Sequence, residues 1–354
     1  MNSLDFTDLN CIIPTHNRSS FLRRQIAYIA SVQQFPRTLV VDSSDLQHAT
    51  QNQTLVASER GIHLEYLHQN AGFFDKIITA LRKIDSTYVV FCADDDTLSP
   101  TGLANCLKIL KHSPACRGAI GRAYILNTAS KRLSIARGHA ISNTDPLARI
   151  RSLSRNWFSN FYAIHHRQHL LSQLTRSRQA VDIHQSRLLN ELLNSLLAIA
   201  SGPLLYVDCD YLAYHIHETN YSKTSSHIGE PTDYPILRDN AITALATYVS
   251  DNFPETSARC MNEVHAIIHG FLRTQKLPGH QPDKVLRTMR KIQRFCRTTL
   301  GVQRASGWLE TKRIPFDLRQ IRCHELTNGM SQVIKYPGGM LQPSEASPEK
   351  STAA

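Results

Sequence analysis

Short apolar runs and helix-like patterns alternate along the first 130 residues of the chain. The apolar runs, which are rich in β-branched residues, predict strands at 9–13, 38–41, 62–67, 88–92 and 119–126. Apolar residues at helical spacing predict helices at 20–32, 45–60, 73–84 and 100–111. Strands that alternate with helices are typical of βαβ units, so the pattern predicts an α/β fold around a mostly parallel sheet.

The pattern changes in the second part of the chain. Residues 140–225 are predicted to be mainly loops, with one strong helical pattern at 186–200 and a short strand at 204–207. Apolar residues at helical spacing return in 231–300, which we expect to be mainly helical. From residue 337 onward Pro, Gly, Ser and Glu dominate, and this composition predicts a disordered tail.

The charge balance is strongly basic. The chain has 40 Lys and Arg against 29 Asp and Glu, which gives a formal net charge of +11. Such an excess favours acidic partners such as phosphates, nucleotides or anionic lipid headgroups. Aromatic residues make up only 7% of the sequence, which does not favour a platform for stacked bases, so we expect no nucleic-acid partner.

The cysteines and the apolar stretches bear on the compartment. The eight cysteines are scattered through apolar runs, and no two are spaced as a Cys-x-x-Cys pair, which favours buried free thiols over a zinc ribbon. The first residues lack the features of a signal peptide, and no stretch reaches the roughly 20 apolar residues of a membrane span. We therefore expect a cytoplasmic protein that could attach to the inner face of a membrane.

Three consecutive carboxylates, Asp94, Asp95 and Asp96, follow the predicted strand 88–92. Ligands of open α/β sheets bind beyond the carboxyl ends of the strands. Three neighbouring carboxylates repel one another unless a cation lies among them, and hard oxygen ligands suit Mg²⁺ or Mn²⁺. The alternative is a solvated turn that caps the next helix.

Two further strand ends carry polar residues. Pro14, Thr15 and Arg18 lie where the first predicted strand meets a helix, and exposed amides with an arginine there suit a nucleotide or phosphate. A plain helix cap by Thr15 or Asn17 explains the same segment equally simply. Asp42 ends the second strand, where its carboxylate can accept hydrogen bonds from a base or ribose, or cap a turn.

Four motifs occur in order at these strand ends. They are Ile-Ile-Pro-Thr-His-Asn-Arg at 12–18, Val-Val-Asp-Ser-Ser at 40–44, Gln-Asn-Ala-Gly at 69–72 and Phe-Cys-Ala-Asp-Asp-Asp-Thr-Leu-Ser-Pro at 91–100. Together they resemble the motifs of GT-A glycosyltransferases of family 2, over about residues 9–225. The resemblance implies a Rossmann-like, mostly parallel sheet flanked by helices, here with a helical C-terminal extension.

The resemblance also implies a division of the chain. A catalytic domain at 1–228 would contain a nucleotide-sugar half at about 9–130 and an acceptor half at about 131–228. A mainly helical region at 229–336 and a disordered tail at 337–354 would follow.

Family 2 enzymes imply roles for the strand-end residues. Pro14, Thr15, Arg18 and Asp42 would line the nucleotide pocket. The helix after the Asn-Ala-Gly motif departs from the family, because two isoleucines replace the usual Arg-Asn. The neighbouring Lys76 could supply the missing positive charge to the diphosphate. The second carboxylate of the usual Val-Asp-Asp-Gly loop is also absent, which leaves the preferred donor open.

The resemblance assigns a metal site to the acidic cluster. Asp94 and Asp96 would form the acidic pair, one near the ribose and one on Mn²⁺ or Mg²⁺, and Asp95 would share the donor site. Which of the three carboxylates ligates the metal stays open. His217 matches a family histidine that could complete the metal shell or touch the diphosphate. His215, two residues earlier, could substitute for it.

The resemblance also points to a catalytic base. Family members carry an acid about a dozen residues before a glycine, and counting back from Gly202 gives Glu191. A carboxylate there would take the proton of the acceptor hydroxyl. The alternatives are a solvated glutamate on an amphipathic helix, or Asp182 as the base.

Two further features admit two interpretations each. Trp157 and Tyr162 could stack on a sugar or belong to the core. Residues 284–297 form a basic amphipathic pattern, which could lie on a lipid surface or be a packed helix with a solvated basic face.

These features predict an inverting glycosyltransferase. It would move a sugar from a nucleotide-diphosphate sugar to a hydroxyl of a glycan or lipid-linked acceptor, in bacterial surface-glycan synthesis. The alternatives are a sugar nucleotidyltransferase and a non-catalytic nucleotide-binding protein with a transferase fold. A nucleotidyltransferase would usually have a glycine-rich loop after the first strand, and residues 14–18 contain no glycine.

Overall fold

The computed structural model describes residues 4–128, 130, 132–136, 138–181, 186–217, 234–274, 312–314 and 323–335. The basic pattern at 284–297, the tail at 337–354 and Asp182 lie outside these ranges. The elements are numbered below in chain order.

The described residues contain ten strands. They are β1 Leu9–Thr15, β2 Arg37–Asp42, β3 Leu64–His68, β4 Tyr88–Phe91, β5 Thr97–Leu98, β6 Gly118–Asn127, β7 Arg132–Ala136, β8 Ile164–His166, β9 Leu204–Ile216 and β10 Lys312–Ile314.

The same residues contain ten α-helices. They are α1 Ser19–Ser31, α2 Leu46–Ser58, α3 Phe73–Lys83, α4 Pro100–Lys111, α5 Pro146–Arg155, α6 Arg167–Ala180, α7 Arg187–Ser201, α8 Tyr234–Asn252, α9 Ser257–Thr274 and α10 His324–Lys335.

The strands form one sheet with two different halves. Its order is β10-β7-β6-β8-β4-β1-β2-β3, and β9 pairs with β5 and β6. Strands β3, β2, β1 and β4 are all parallel, as the βαβ pattern predicts. Beyond β4 the sheet is mixed, because β8 runs antiparallel to both β4 and β6 and β7 pairs antiparallel with β6. The α/β fold is confirmed, with the parallel arrangement concentrated in the first half.

The register of the parallel half brings the predicted strand ends together. Thr15 at the end of β1 pairs with Asp42 at the end of β2, and Asp42 pairs in turn with His68 at the end of β3. Phe91, the last residue of β4, lies beside Ile12 of β1. The acidic cluster therefore follows β4 directly at the same edge of the sheet.

The sheet separates two apolar layers. Successive residues of a strand point to opposite faces, so Ile12 packs in one layer and its neighbours Cys11 and Ile13 in the other. Helices α3 and α6 cover the first face, where Ile77 and Leu174 are buried. The second layer contains apolar residues of α1, α4, α5 and α7, and also of α8 and α9. The helical region after residue 233 therefore shares a core with the sheet.

Local signals explain where several helices begin. Ser99 caps α4 by accepting a hydrogen bond from the backbone N–H of Gly102 at 3.0 Å, and Pro100 occupies the first turn. Asp145 caps α5 and Ser186 caps α7 in the same way. Among the described residues, no helix is both long enough and apolar enough to cross a membrane.

Candidate active site

The loop between β1 and α1 supplies a cation to the acidic cluster. Arg18 donates from Nη1 to Oδ1 of Asp94 at 2.8 Å, and its Nη2 lies 3.0 Å from Oδ2 of Asp95. The Thr15 hydroxyl donates to the other oxygen of Asp94 at 2.7 Å. Asn17 has a left-handed φ of 52°, a conformation that asparagine tolerates, and this allows the sharp turn from strand to helix.

The three carboxylates of the cluster are all buried but have different partners. Oδ2 of Asp95 lies 2.9 Å from Nε2 of His217, which follows the end of β9. Asp96 instead accepts the backbone N–H of His215 at 2.8 Å and the hydroxyl of Tyr162. Asp96 therefore holds β9 and the segment before β8 in place, while Asp95 lies beside an imidazole.

Burial and neighbouring charges distribute the negative charge unevenly. Burial raises the pKa of Asp94 to about 6, against the opposing effect of Arg18. Burial and the nearby Asp95 also raise the pKa of Asp96 well above its usual value. Burial acts on Asp95 in the same direction, but the hydrogen bond to His217 and the charge of Arg18 outweigh it and lower the pKa. Of the three carboxylates, Asp95 is therefore the one that stays ionised to the lowest pH.

His217 and His215 occupy different environments. The ring of His217 stacks on Phe21 with centroids 4.9 Å apart, and its Nε2 also lies 3.3 Å from Nη2 of Arg18. Burial lowers the pKa of His215 to about 3, so its imidazole is neutral. Nε2 of His215 lies 3.2 Å from the hydroxyl of Thr128. His217 is thus the histidine that meets the Asp95 carboxylate.

Asp42 is fully buried and surrounded by hydrogen-bond donors. It accepts the backbone N–H of Ser44 at 2.7 Å, the side-chain amide of Asn52 at 2.8 Å and the hydroxyl of Tyr66 at 2.7 Å. Burial raises the pKa of Asp42, but these hydrogen bonds outweigh it and lower the value. One carboxylate oxygen thus caps the turn after β2, and the other accepts from α2 and β3. The contact with a base or ribose stays a prediction. Asn52 and Tyr66 were not predicted.

Lys76 lies beneath the ends of β1 and β2. Its side chain is buried, and Nζ donates to the carbonyl of Thr15 at 2.6 Å and to the hydroxyl of Ser43 at 3.0 Å. Burial lowers the pKa of Lys76 to about 8. Because an ammonium group has three donors, Lys76 ties the two loops together and brings a positive charge under them. The structure therefore gives it a role in shaping the loops that the sequence did not predict.

Two histidines that the sequence analysis did not single out contact the β2–α2 loop from opposite sides. Nδ1 of His16 lies 2.9 Å from the carbonyl oxygen of Ser43, and Nε2 of His68 lies 2.9 Å from that of Ser44. Pro14, predicted to line the pocket, is buried within β1 beside Val41. The two histidines thus hold the β2–α2 loop through its backbone carbonyls. These contacts could not be predicted from the sequence.

Glu191 is exposed and lies in the second turn of α7. The leucines of this helix are buried except for Leu188, which is half-buried, in agreement with the apolar pattern. The segment before β8 links α7 to the acidic cluster, because the Asn160 side chain donates to the carbonyl of Ser195 at 3.2 Å and Tyr162 donates to Asp96. Hydrogen bonds of this segment therefore connect α7 to the acidic cluster.

The two aromatic residues considered for sugar stacking have protein partners instead. Trp157 packs on Phe271 of α9 with ring centroids 4.8 Å apart. Tyr162 donates to Asp96 and packs edge-on against Tyr214. Both follow the core alternative.

The side chains of the cluster offer few ligands for a divalent metal. Within the described ranges, no group of three or more His, Cys, Asp and Glu side chains has an arrangement that could hold a metal ion. Asp95 and His217 nevertheless present one carboxylate and one imidazole at 2.9 Å. Mg²⁺ is usually bound by one or two carboxylates together with substrate phosphates, so two protein ligands are compatible with an ion that is completed by a diphosphate.

Residues 11–170 match the model of the family described as glycosyl transferase family 2. Two solved structures are similar to the chain. TarS residues 1–349 of S. aureus, in complex with UDP-GlcNAc, is 13% identical, with 72% of this chain and 73% of that chain covered and a TM-score of 0.49. The mannosyltransferase PcManGT from Pyrobaculum calidifontis, in complex with GDP-Man and Mn²⁺, is 14% identical, with 95% and 90% covered and a TM-score of 0.42. No curated protein matches the chain.

Proposed function

We propose that the chain is an inverting glycosyltransferase with a nucleotide-diphosphate sugar as donor, because residues 11–170 match the model of glycosyl transferase family 2. The observation that carries this proposal is the arrangement of Arg18, Asp95 and His217 where β1, β4 and β9 end. A cation, a carboxylate and an imidazole together suit a diphosphate and a divalent metal.

The donor site is divided between ligands and supports. Arg18 would bind the diphosphate, and Asp95 with His217 would hold Mn²⁺ or Mg²⁺. Asp94 orients Arg18 through their hydrogen bond, and Asp96 keeps β9 in place so that His217 reaches the metal. When bound, the metal stabilises the negative charge that develops on the leaving diphosphate.

The sequence analysis assigned the metal to the acidic pair Asp94 and Asp96 and left open which of the three carboxylates ligates it. We propose that Asp95 is the ligand and that Asp94 and Asp96 are supports. Asp96 is the clearer case, because both of its oxygens already accept hydrogen bonds from Tyr162 and His215. Both oxygens of Asp94 are likewise engaged, one by Thr15 and one by Arg18. The contacts of Asp95 with Arg18 and His217 both involve the same oxygen, Oδ2. Asp95 is the carboxylate that lies beside an imidazole, that of His217, which can also bind a metal.

Glu191 is the proposed base. It takes the proton of the acceptor hydroxyl while the acceptor oxygen bonds to the anomeric carbon, and the bond from that carbon to the diphosphate breaks on the opposite side. Attack opposite the leaving group inverts the configuration. The exposed position of Glu191 at the start of α7, and the link from α7 to Asp96, support this role. Asp182 stays the alternative base.

The proposal extends to the acceptor and its setting. A glycan or lipid-linked hydroxyl of bacterial surface-glycan synthesis is the proposed acceptor, with contact to the inner face of the membrane through the basic pattern at 284–297. The family match favours a glycosyltransferase over a sugar nucleotidyltransferase or a non-catalytic binding protein.

Nucleotide binding with and without Mn²⁺ tests the donor site. We expect UDP or GDP to bind the wild-type chain more tightly when Mn²⁺ is present. Asp95→Asn should remove this increase, because a neutral amide is a poor ligand for a hard divalent cation. Asp85→Asn, at an exposed position outside the site, is the matched control and should retain it.

Two results would contradict the proposal. If Asp95→Asn keeps the full Mn²⁺-dependent increase, Asp95 is not the ligand. If the wild-type chain binds neither UDP nor GDP and hydrolyses no nucleotide sugar from a broad panel, the proposed donor class is wrong.

A further inference from the structure

A polar groove lies between α3 and α6, next to the end of β3. Its volume is about 260 Å³. The side chains that carry its polar character are Gln69, Asp75, Arg82, Thr175, Arg178 and Gln179. None of them belongs to the donor site described above.

The groove offers both hydrogen-bond donors and acceptors. Oε1 of Gln69 is buried and has no hydrogen-bond partner among the described residues. Arg178 forms an ion pair with Asp75, and the exposed Arg82 lies one helical turn beyond Thr79. The hydroxyl of Thr175 donates to the carbonyl of Leu171 at 2.8 Å, which leaves its oxygen able to accept.

This mixture identifies the class of ligand. A phosphate or carboxylate only accepts hydrogen bonds, so it could pair with Arg82 but would leave the Gln69 carbonyl oxygen unsatisfied and would lie near the Asp75 carboxylate. A sugar hydroxyl donates and accepts at once, so it can satisfy Gln69 and Arg82 together. Drug-sized ligands occupy cavities of about 300–1,000 Å³, and the slightly smaller groove suits a single sugar residue.

The position of the groove connects it to both parts of the proposed reaction. At one end, the backbone N–H of Gln69 donates to the carbonyl of Asp42 at 2.8 Å, which joins it to the β2–α2 loop. At the other end, Gln179 lies two residues before Val181, whose carbonyl accepts the side-chain amide of Asn190 at 2.6 Å. Asn190 directly precedes Glu191. Hydrogen bonds and short stretches of chain therefore link the groove to the donor loops and to the helix that carries the proposed base.

We propose that this groove binds one sugar residue of the acceptor glycan. The inference rests on the proposed function, because it assigns an acceptor subsite to that same transferase. It identifies the acceptor as a saccharide with a residue next to the reacting hydroxyl.

Titration of the full chain by NMR with simple saccharides tests the proposal. The probes are the methyl glycosides of glucose, galactose, mannose and N-acetylglucosamine. At least one should bind the wild-type chain, and Gln69→Leu and Arg82→Gln should each weaken it about tenfold, because each removes a hydrogen-bonding group from the ligand. Lys83→Gln is the matched control, since Lys83 is the next residue of α3 and pairs with Glu65 outside the groove.

The outcomes separate this inference from the proposed function. If no glycoside binds while UDP or GDP still does, the acceptor subsite is wrong and the donor site stands. If Arg82→Gln binds the glycoside as well as Lys83→Gln does, or if inorganic phosphate displaces the glycoside, the groove does not recognise sugar hydroxyls and the inference is overturned. Failure of nucleotide binding would instead contradict the proposed function.

Discussion

The two halves of the sheet build their functional residues in different ways. In the parallel half, β1, β2 and β4 end at one edge, and Thr15, Asp42 and the acidic cluster follow directly. In the mixed half, Tyr162, His217 and Glu191 come from a loop, the end of a long strand and the start of a helix. The first half is a fixed frame for the donor, and the second brings single side chains to that frame.

A few contacts connect the functional residues of the two halves. Asp96 joins them through Tyr162 and the backbone of His215, and Asp95 joins them through His217. A change in the frame should therefore alter donor binding, whereas a change at Glu191 should alter transfer alone. The following predictions test this division, in order of decreasing expected effect.

Glu191→Gln should separate transfer from donor binding most strongly. Loss of a general base costs about 10² to 10⁴ in rate, or about 3–5 kcal/mol of transition-state stabilisation. Nucleotide affinity should stay at the wild-type value, because no donor contact is removed. The measurement is the transfer rate beside nucleotide affinity, with the exposed Glu255→Gln as control. Normal transfer in Glu191→Gln combined with an inactive Asp182→Asn would move the role to Asp182.

Asp42→Asn should destabilise the donor half by about 1–3 kcal/mol, because it disturbs a buried hydrogen-bonded network. The folded pKa of Asp42 lies below its usual 3.8, so ionised Asp42 contributes stability above that pH and loses it as the pH falls through the folded value. The difference in free energy of unfolding between wild type and variant should therefore shrink below about pH 4. Denaturant unfolding at several pH values measures it, and a difference independent of pH would argue against this role.

Lys76 should make nucleotide affinity sensitive to alkaline pH. Below its pKa of about 8 the ammonium group braces the β1 and β2 loops and attracts the diphosphate. Above that pH both effects weaken, so affinity should fall by roughly tenfold, about 1.4 kcal/mol. Lys76→Met should bind weakly at every pH and lack the step, whereas the exposed Lys83→Met should behave like wild type. A step that survives in Lys76→Met would assign the titration to another group.

Glu325→Gln should have the smallest effect. Glu325 of α10 accepts hydrogen bonds from the hydroxyls of Ser99 at 2.5 Å and Thr101 at 2.7 Å, just after the acidic cluster. The amide keeps one acceptor oxygen, so we expect a loss of about 1 kcal/mol in the free energy of unfolding. Thermal unfolding beside Glu255→Gln measures it. An unchanged stability would show that α10 does not support the donor half.

Sequence reasoning succeeded where the topology itself determines position. The four motifs at the parallel strand ends could be predicted to meet, because the carboxyl ends of parallel strands lie at one edge of a sheet. The partners of the motif residues could not be predicted in the same way. Asn52 and Tyr66 reach Asp42 from α2 and β3, and no local pattern marks them.

The mixed half was harder to predict for physical reasons. Helix α6 was expected to be a loop, because Leu170, Leu171 and Leu174 are nearly its only apolar residues and the rest of its surface is polar. Strand β8 has only three residues, too few to show alternation. The sheet therefore differs from the expected mostly parallel one in the region where the local signal is weakest.

The division of labour between Asp95 and Asp96 followed from neither motif nor spacing. The three carboxylates are adjacent in the chain and have the same local surroundings in the sequence. Only the fold brings His217 to Asp95, and Tyr162 with the backbone of His215 to Asp96.

The most direct test of the donor site compares His217→Asn with His215→Asn. Both replace a buried histidine near the end of β9, and His215→Asn keeps the backbone N–H that Asp96 accepts. Affinity for UDP and GDP is measured by calorimetry with and without Mn²⁺. The account predicts that His217→Asn loses the Mn²⁺-dependent increase and His215→Asn retains it. An increase that persists in His217→Asn but disappears in His215→Asn would contradict the proposed metal site.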